Sequence, residues 1–176
     1  MKIDRQPVRP GKLSDIRGEK PDFPCILCAI RDREPKVTNL EITRNKQMIV
    51  SLNLYPYNPG HVMIFPMRHL TDIRDLTDEE IMQMHRLQGK VMAVLESVYG
   101  PSGFNIGYNL GKTSEASIEH IHCHVVPRHR NEIGLLEMIS QGVRVLVEDP
   151  LDTLEKLRKA FAELENEKNN HTFNPT

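Results

Sequence analysis

Residues 120–126 read His-Ile-His-Cys-His-Val-Val, with three imidazoles alternating with apolar side chains. A period of two is the period of a β-strand, so this segment reads as extended. On such a strand His120, His122 and His124 share one face, about 6–7 Å apart along it. Ile121, Cys123 and Val125 then share the other face and can enter a core. This face can bind a metal, move protons or attack an electrophile, and it anchors the rest of the reading.

The flanking pattern gives the fold class. Met48-Ile49-Val50-Ser51-Leu52 within Ile42–Leu54 and His61-Val62-Met63-Ile64-Phe65-Pro66 read as strands of one sheet, separated by the turn cluster Tyr55-Pro56-Tyr57-Asn58-Pro59-Gly60. Gly103–Asn109 reads as a further strand, and Gly142–Glu148 as a short extended piece. Thr77 and Glu80 form a capping box. Ile81, Met84, Leu87, Val91, Val94, Leu95 and Val98 follow at helical spacing until Gly100-Pro101, so the spacing predicts a helix over 77–99. A short helix opens after Pro24. A last helix is expected from Pro150 to about Glu167, with Leu151, Leu154, Leu157, Phe161 and Leu164 on one face. Strands joined by turns, with segregated helices, indicate an α+β domain on a central antiparallel sheet. Its expected bounds are 22–168, between a flexible arm over 1–21 and a disordered tail over 169–176.

The formal net charge of −1 gives no general pull toward nucleic acid. No segment approaches the ~18 apolar residues of a membrane span. The polar, Pro-rich start lacks the apolar core of a signal peptide, and a cytoplasmic location is expected. The three cysteines, Cys25, Cys28 and Cys123, are odd in number and argue against a disulfide framework.

Two chemistries fit the histidine face. A neutral imidazole nitrogen attacks phosphorus, and the resulting bond is labile enough to break in a second step. Its other nitrogen must then be held by an acceptor to fix the tautomer. His122, flanked on both sides, is the natural nucleophile. The small polar loop Asn109–Ser117 returns directly into these histidines, and its hydroxyls and backbone N–H groups can cradle phosphate oxygens. The other chemistry is metal chelation by His-x-His, open for His120 in particular. Separately, Cys25-x-x-Cys28 suits a structural zinc completed by histidines, with His61, His69, His85 and the 120–124 segment as candidates, or a redox dithiol.

His120-Ile121-His122-Cys123-His124-Val125-Val126 resembles the signature of the histidine-triad (HIT) family of nucleotide hydrolases and transferases. The resemblance spans residues 23–165. Leu52-Asn53-Leu54-Tyr55-Pro56-Tyr57-Asn58-Pro59-Gly60-His61 and Pro66-Met67-Arg68-His69 resemble its diadenosine tetraphosphate phosphorylase branch. The resemblance implies a covalent nucleotidyl group on His122. It puts His124 on the phosphate and bridging oxygen, with His61 beside the triad. Asn53 would bond the ribose hydroxyls, and Asn109, Gly111 and Ser117 would line the phosphate site. A structural zinc would sit on Cys25, Cys28, His69 and His120, with no organic cofactor. A homodimer built by sheet extension and a diadenosine-polyphosphate-like nucleotide substrate are also implied. The alternatives are an adenosine phosphoramidate hydrolase, or a nucleotide-binding module with little turnover. Two departures from the branch stand out. Ser114-Glu115-Ala116 replaces glycines in the phosphate loop, and no Trp follows the triad.

Overall fold

The computed structural model describes residues 23–111, 114, 118–132, 134 and 148–171, with side chains to 167. The expected N-terminal arm, the extended piece at 142–147, Ser117 and Glu115 lie outside the described residues. A sheet of five strands holds the described chain together: β1 (Glu41–Arg44), β2 (Met48–Leu52), β3 (Val62–Pro66), β4 (Gly103–Tyr108) and β5 (Cys123–Arg128). The order is β1-β2-β3-β5-β4, antiparallel throughout. Three helices pack on it: α1 (Ile26–Asp32), α2 (Asp78–Tyr99) and α3 (Pro150–His171).

Both faces of the sheet are covered, which explains why β2 and β3 are apolar without a polar alternation. Met48, Val50, Leu52, Val62, Ile64, Cys123 and Val125 face α2 and α3 and form the main core with Met84, Leu87, Val91, Val94, Leu95, Leu154, Leu157 and Phe161. Ile49, Met63 and Phe65 face the other way, against Leu27 and Ile30 of the short helix α1. His124 is paired with Met63 of β3 and Gly107 of β4, so alternation brings its ring out on this second face.

The expected helices form where the capping signals put them. Thr77 Oγ1 accepts the Glu80 N–H at 3.2 Å, and Glu80 Oε2 accepts the Thr77 N–H at 2.9 Å, closing the capping box. Glu80 is buried and also takes Arg68 in a bidentate pair at 2.9 and 2.7 Å. That pair ties the segment after β3 to the start of α2. Arg68, followed by the Thr77 backbone, holds the Glu80 carboxyl down at about 2 against its burial. Glu148 does similar work at the other end. It accepts from Tyr99 Oη at 2.7 Å and Thr153 Oγ1 at 2.9 Å and pairs with Lys156, joining the end of α2 to the start of α3.

Two helix faces differ from the expected ones. Ile81 is 47% exposed and Leu151 52% exposed, each in the first turn of its helix, while the later residues of both stripes are buried or, at Val98 and Leu164, half-buried. Helix α3 also runs to His171, past the expected end near Glu167. The turn between β2 and β3 presses directly on α2. Gly60 has φ +78°, and a Cβ there would stand 2.8 Å from the Tyr99 ring and 2.9 Å from Leu95.

Removing Leu157, fully buried under the sheet, is expected to cost about 2–5 kcal/mol in Leu157→Ala. Leu151→Ala is expected to cost less than about 0.5 kcal/mol. Urea unfolding of both variants checks this, and equal losses would contradict the packing described.

Candidate active site and metal centre

The triad is not wholly a strand. Regular pairing begins at Cys123, opposite Ile64, and only His124 of the three histidines lies within β5. Extending the same register would place Ile121 opposite Pro66, which has no N–H to give a ladder. The segment instead turns along the chain that follows β3. The Ile121 N–H donates to the Leu70 carbonyl at 2.6 Å, and the Ile121 side chain packs with Leu70 and Leu76. The expectation of one continuous strand is therefore corrected, although the His120 ring, edge to face on Phe65, stays on the same side of the sheet as His124. His120 goes to one cluster, and His122 and His124 to another.

His120 is buried and its Nδ1 lies 3.5 Å from Cys25 Sγ and 3.6 Å from Cys28 Sγ. Cys28 Sγ lies 3.3 Å from His69 Nδ1. The ligand atoms of Cys25, Cys28, His69 and His120 all fall within 4.8 Å of one another, so these four can hold a metal ion. The sequence explains how they meet. Cys25 caps α1, its Sγ accepting the Cys28 N–H at 3.4 Å, which sets both sulfurs on the first turn. Arg31 of α1 donates to the Met67 carbonyl at 2.9 Å, and Arg68 is held by Glu80, so His69 between these anchors is presented to the thiols. His120 Nε2 donates to the Pro66 carbonyl at 3.0 Å, which leaves Nδ1 with a lone pair toward the sulfurs. Burial, then His69 beside it, pushes His120 down to about 4, so it stays neutral. Burial and then Cys25 push the Cys28 thiol up to about 11.

The second cluster is a chain of imidazoles with defined tautomers. His122 is buried, and its Nδ1–H donates to the His120 carbonyl at 2.7 Å. The lone pair of His122 is thus on Nε2. The Tyr57 N–H donates to His61 Nδ1 at 3.1 Å, so His61 carries its proton on Nε2. His61 Nε2 lies 2.9 Å from His124 Nδ1 and donates to it. His124 then carries its proton on Nε2, a buried atom with no partner among the described residues. The His122 and His124 rings meet edge to face with centroids 4.7 Å apart. Together they offer a lone pair and an N–H side by side. Burial, then the neighbouring His122, pushes His124 down to about 4, and burial lowers His122 as well.

The remaining expected residues divide. Asn53 belongs to this cluster: its Nδ2 lies 3.4 and 3.5 Å from the two nitrogens of the His61 ring, and its Oδ1 accepts the Tyr55 N–H at 2.9 Å. Asn109 and Gly111 follow β4 at the mouth of the loop, and Gly111 has φ +81°. His85, open as a ligand on the sequence, is exposed on α2 and outside the metal cluster. Tyr57 was not singled out, although its ring stacks on His61 at 5.1 Å and 14°. The only sequence signal for it was its place in the turn cluster.

Residues 34–131, more than half of the chain, match the HIT domain family. The chain belongs to the HIT family. A relative from Mycobacterium tuberculosis named AP-4-A phosphorylase is 39% identical over 124 residues, which cover 70% of this chain and 63% of the relative. This chain therefore matches less than two thirds of that protein's length. A relative from Schizosaccharomyces pombe named Bis(5'-nucleosyl)-tetraphosphatase [asymmetrical] is 31% identical over 54% of this chain and 53% of its own. Among solved structures, a Zn-bound histidine triad family protein from Mycobacterium smegmatis aligns with TM-score 0.65 at 24% identity, over 81% of this chain and 96% of that one. At that identity it supports the α+β HIT fold and nothing finer. No helix among the described residues of this HIT domain is long and apolar enough to cross a membrane.

The His124 value gives a test. It lies below the ordinary imidazole value of 6.5, so between pH 6.5 and about 4 the folded chain binds fewer protons than the unfolded one. Stability contributed by this group is therefore intact above pH 6.5 and falls as the pH drops toward 4. The His124 ring resonance, followed by NMR, is expected to titrate near pH 4. A midpoint at 6.5 would contradict the buried, neutral ring.

Proposed function

We propose that this HIT domain cleaves a dinucleoside polyphosphate by nucleotidyl transfer through His122. The observation that carries the reading is the 2.7 Å hydrogen bond from His122 Nδ1–H to the His120 carbonyl, because it leaves Nε2 as a free nucleophile. The names of the relatives fit the same substrate class. In the first step the Nε2 lone pair forms a bond to the α-phosphorus, and the bond from phosphorus to the bridging oxygen breaks. The His124 Nε2–H donates to that oxygen as charge develops on it. The leaving nucleoside polyphosphate departs as an anion and needs no full protonation. In the second step water or phosphate attacks the same phosphorus, the N–P bond breaks, and His122 returns neutral after the incoming oxygen loses its proton. Asn53 would hold the ribose hydroxyls, and Asn109, Gly111 and Ser117 would line the phosphate site.

Zinc is the proposed metal on Cys25, Cys28, His69 and His120. With Zn–S near 2.3 Å and Zn–N near 2.0 Å, a tetrahedron requires S···N edges of about 3.5 Å. The observed 3.3, 3.5 and 3.6 Å fit that figure. All four protein donors are used, so the metal would be structural and its chemistry would be to fasten α1 to the start of the triad. A homodimer through β4 is also proposed. Its outer edge pairs with no described strand, and Ile106 on it is 42% exposed.

Incubation with diadenosine tetraphosphate, with and without inorganic phosphate, followed by chromatography, tests the activity. ADP with ATP formed only with phosphate identifies a phosphorylase, and AMP with ATP formed without it a hydrolase. No cleavage of this or shorter dinucleotides would refute the proposal. His122→Ala is expected to lower turnover by at least about 1,000-fold, in keeping with loss of a nucleophile. Metal analysis is expected to find one zinc per chain, reduced severalfold in Cys28→Ser. Zinc content unchanged in that variant would contradict the assigned ligands.

A further inference from the structure

The turn that feeds the His61–His124 pair is held by a side chain that does not belong to the triad. Asn58 is fully buried. Its Nδ2 donates to the Pro127 carbonyl at 2.8 Å and to Glu132 Oε2 at 2.9 Å. Both partners are acceptors, which fixes the amide orientation. Asn58 Oδ1 is buried and finds no donor among the described residues, so the described contacts hold the amide through its NH2. Glu132 Oε2 is itself anchored, accepting from Arg128 Nε at 2.9 Å and from the His129 N–H at 3.1 Å. Asn58 thus fastens the turn at 55–60 to the far end of β5, the strand that carries His124.

The same turn sets both sides of His61. The Asn58 carbonyl accepts the His61 N–H at 3.0 Å, and the adjoining Tyr57 gives its N–H to His61 Nδ1. That N–H favours the His61 tautomer with its proton on Nε2, which it hands toward His124. A turn displaced by even about 1 Å would leave the Tyr57 N–H out of reach. His61 could then take either tautomer, and so could His124.

We infer that Asn58 and Glu132 are positioning residues that lock the tautomers of His61 and His124, through the Tyr57 N–H, for the reaction proposed above. Neither touches the reacting atoms. The inference rests on that reading only for its effect on rate, because the tautomers can be observed without substrate.

The test uses the full chain with uniformly 15N-labelled histidine. Wild type is expected to show His61 and His124 each as a single Nε2–H tautomer. Asn58→Asp keeps the shape but replaces the donor with an acceptor facing two acceptors. It is expected to give mixed tautomers at both rings and to lower kcat by about 10–100-fold, the scale of a misoriented acid–base group. KM is expected to stay within about threefold, since no substrate contact is lost. Glu132→Gln retains an acceptor oxygen and is expected to keep both tautomers and near-wild-type kcat. Should Asn58→Asp not fold, Glu132→Ala, at a half-buried residue outside the sheet, is expected to give the same mixture. Wild-type tautomers and kcat in a folded Asn58→Asp or Glu132→Ala would overturn the inference. So would a rise in KM alone, which would make Asn58 a substrate contact. A wild-type protein inert toward dinucleoside polyphosphates would refute the proposed activity while the tautomer comparison still decides this inference.

Discussion

Strand β5 is paired with β3 on one side and β4 on the other, and that double pairing decides where the His124 ring falls. A strand between two partners has its backbone fully committed, so the direction of each side chain is fixed by register. Cys123 and Val125 must enter the core under α2, and His124 must emerge on the opposite face. His61 closes the neighbouring turn immediately before β3, which is why two residues far apart in sequence meet ring to ring. Ahead of Cys123, where the pairing stops, the His120 ring packs on Phe65 beside Cys25 and Cys28, on the face that α1 covers.

The two clusters are joined by one backbone carbonyl. His120 gives its ring to the thiols and its carbonyl to His122, so the group that fixes the nucleophile's tautomer belongs to a candidate metal ligand. A metal on the four residues would restrain that carbonyl without touching the reacting atoms. Buried neutral imidazoles are costly to charge, and the network avoids the cost by handing each N–H to a defined acceptor. The His124 N–H, without an acceptor among the described residues, is the exception, and its ring meets that of His122 edge to face.

Much of this was legible in the residues. The apolar runs on either side of the Tyr55–Gly60 turn cluster marked β2 and β3, and the Thr77–Glu80 box with Gly100 marked α2 nearly to the residue. The four candidate metal ligands named from the family resemblance do converge. The extent of β5 was not legible, because alternation of His and apolar residues continues past the point where Pro66 ends the ladder. Exposure at Ile81 and Leu151 was hidden as well: helical spacing marks a stripe but not which of its positions are covered. The roles of Asn58 and Glu132 rest on long-range hydrogen bonds, and no local pattern announces a turn amide reaching residues 127 and 132.

The central claim is that His122 carries a nucleotidyl group during turnover. It is tested most directly by acid-free quenching of the protein with a dinucleoside polyphosphate in the first turnover, followed by mass spectrometry of its peptides. The account requires one added nucleoside monophosphate on the peptide containing His122, labile to acid and absent in His122→Ala. Turnover with no adduct on any histidine, or an adduct on a different residue, would contradict it.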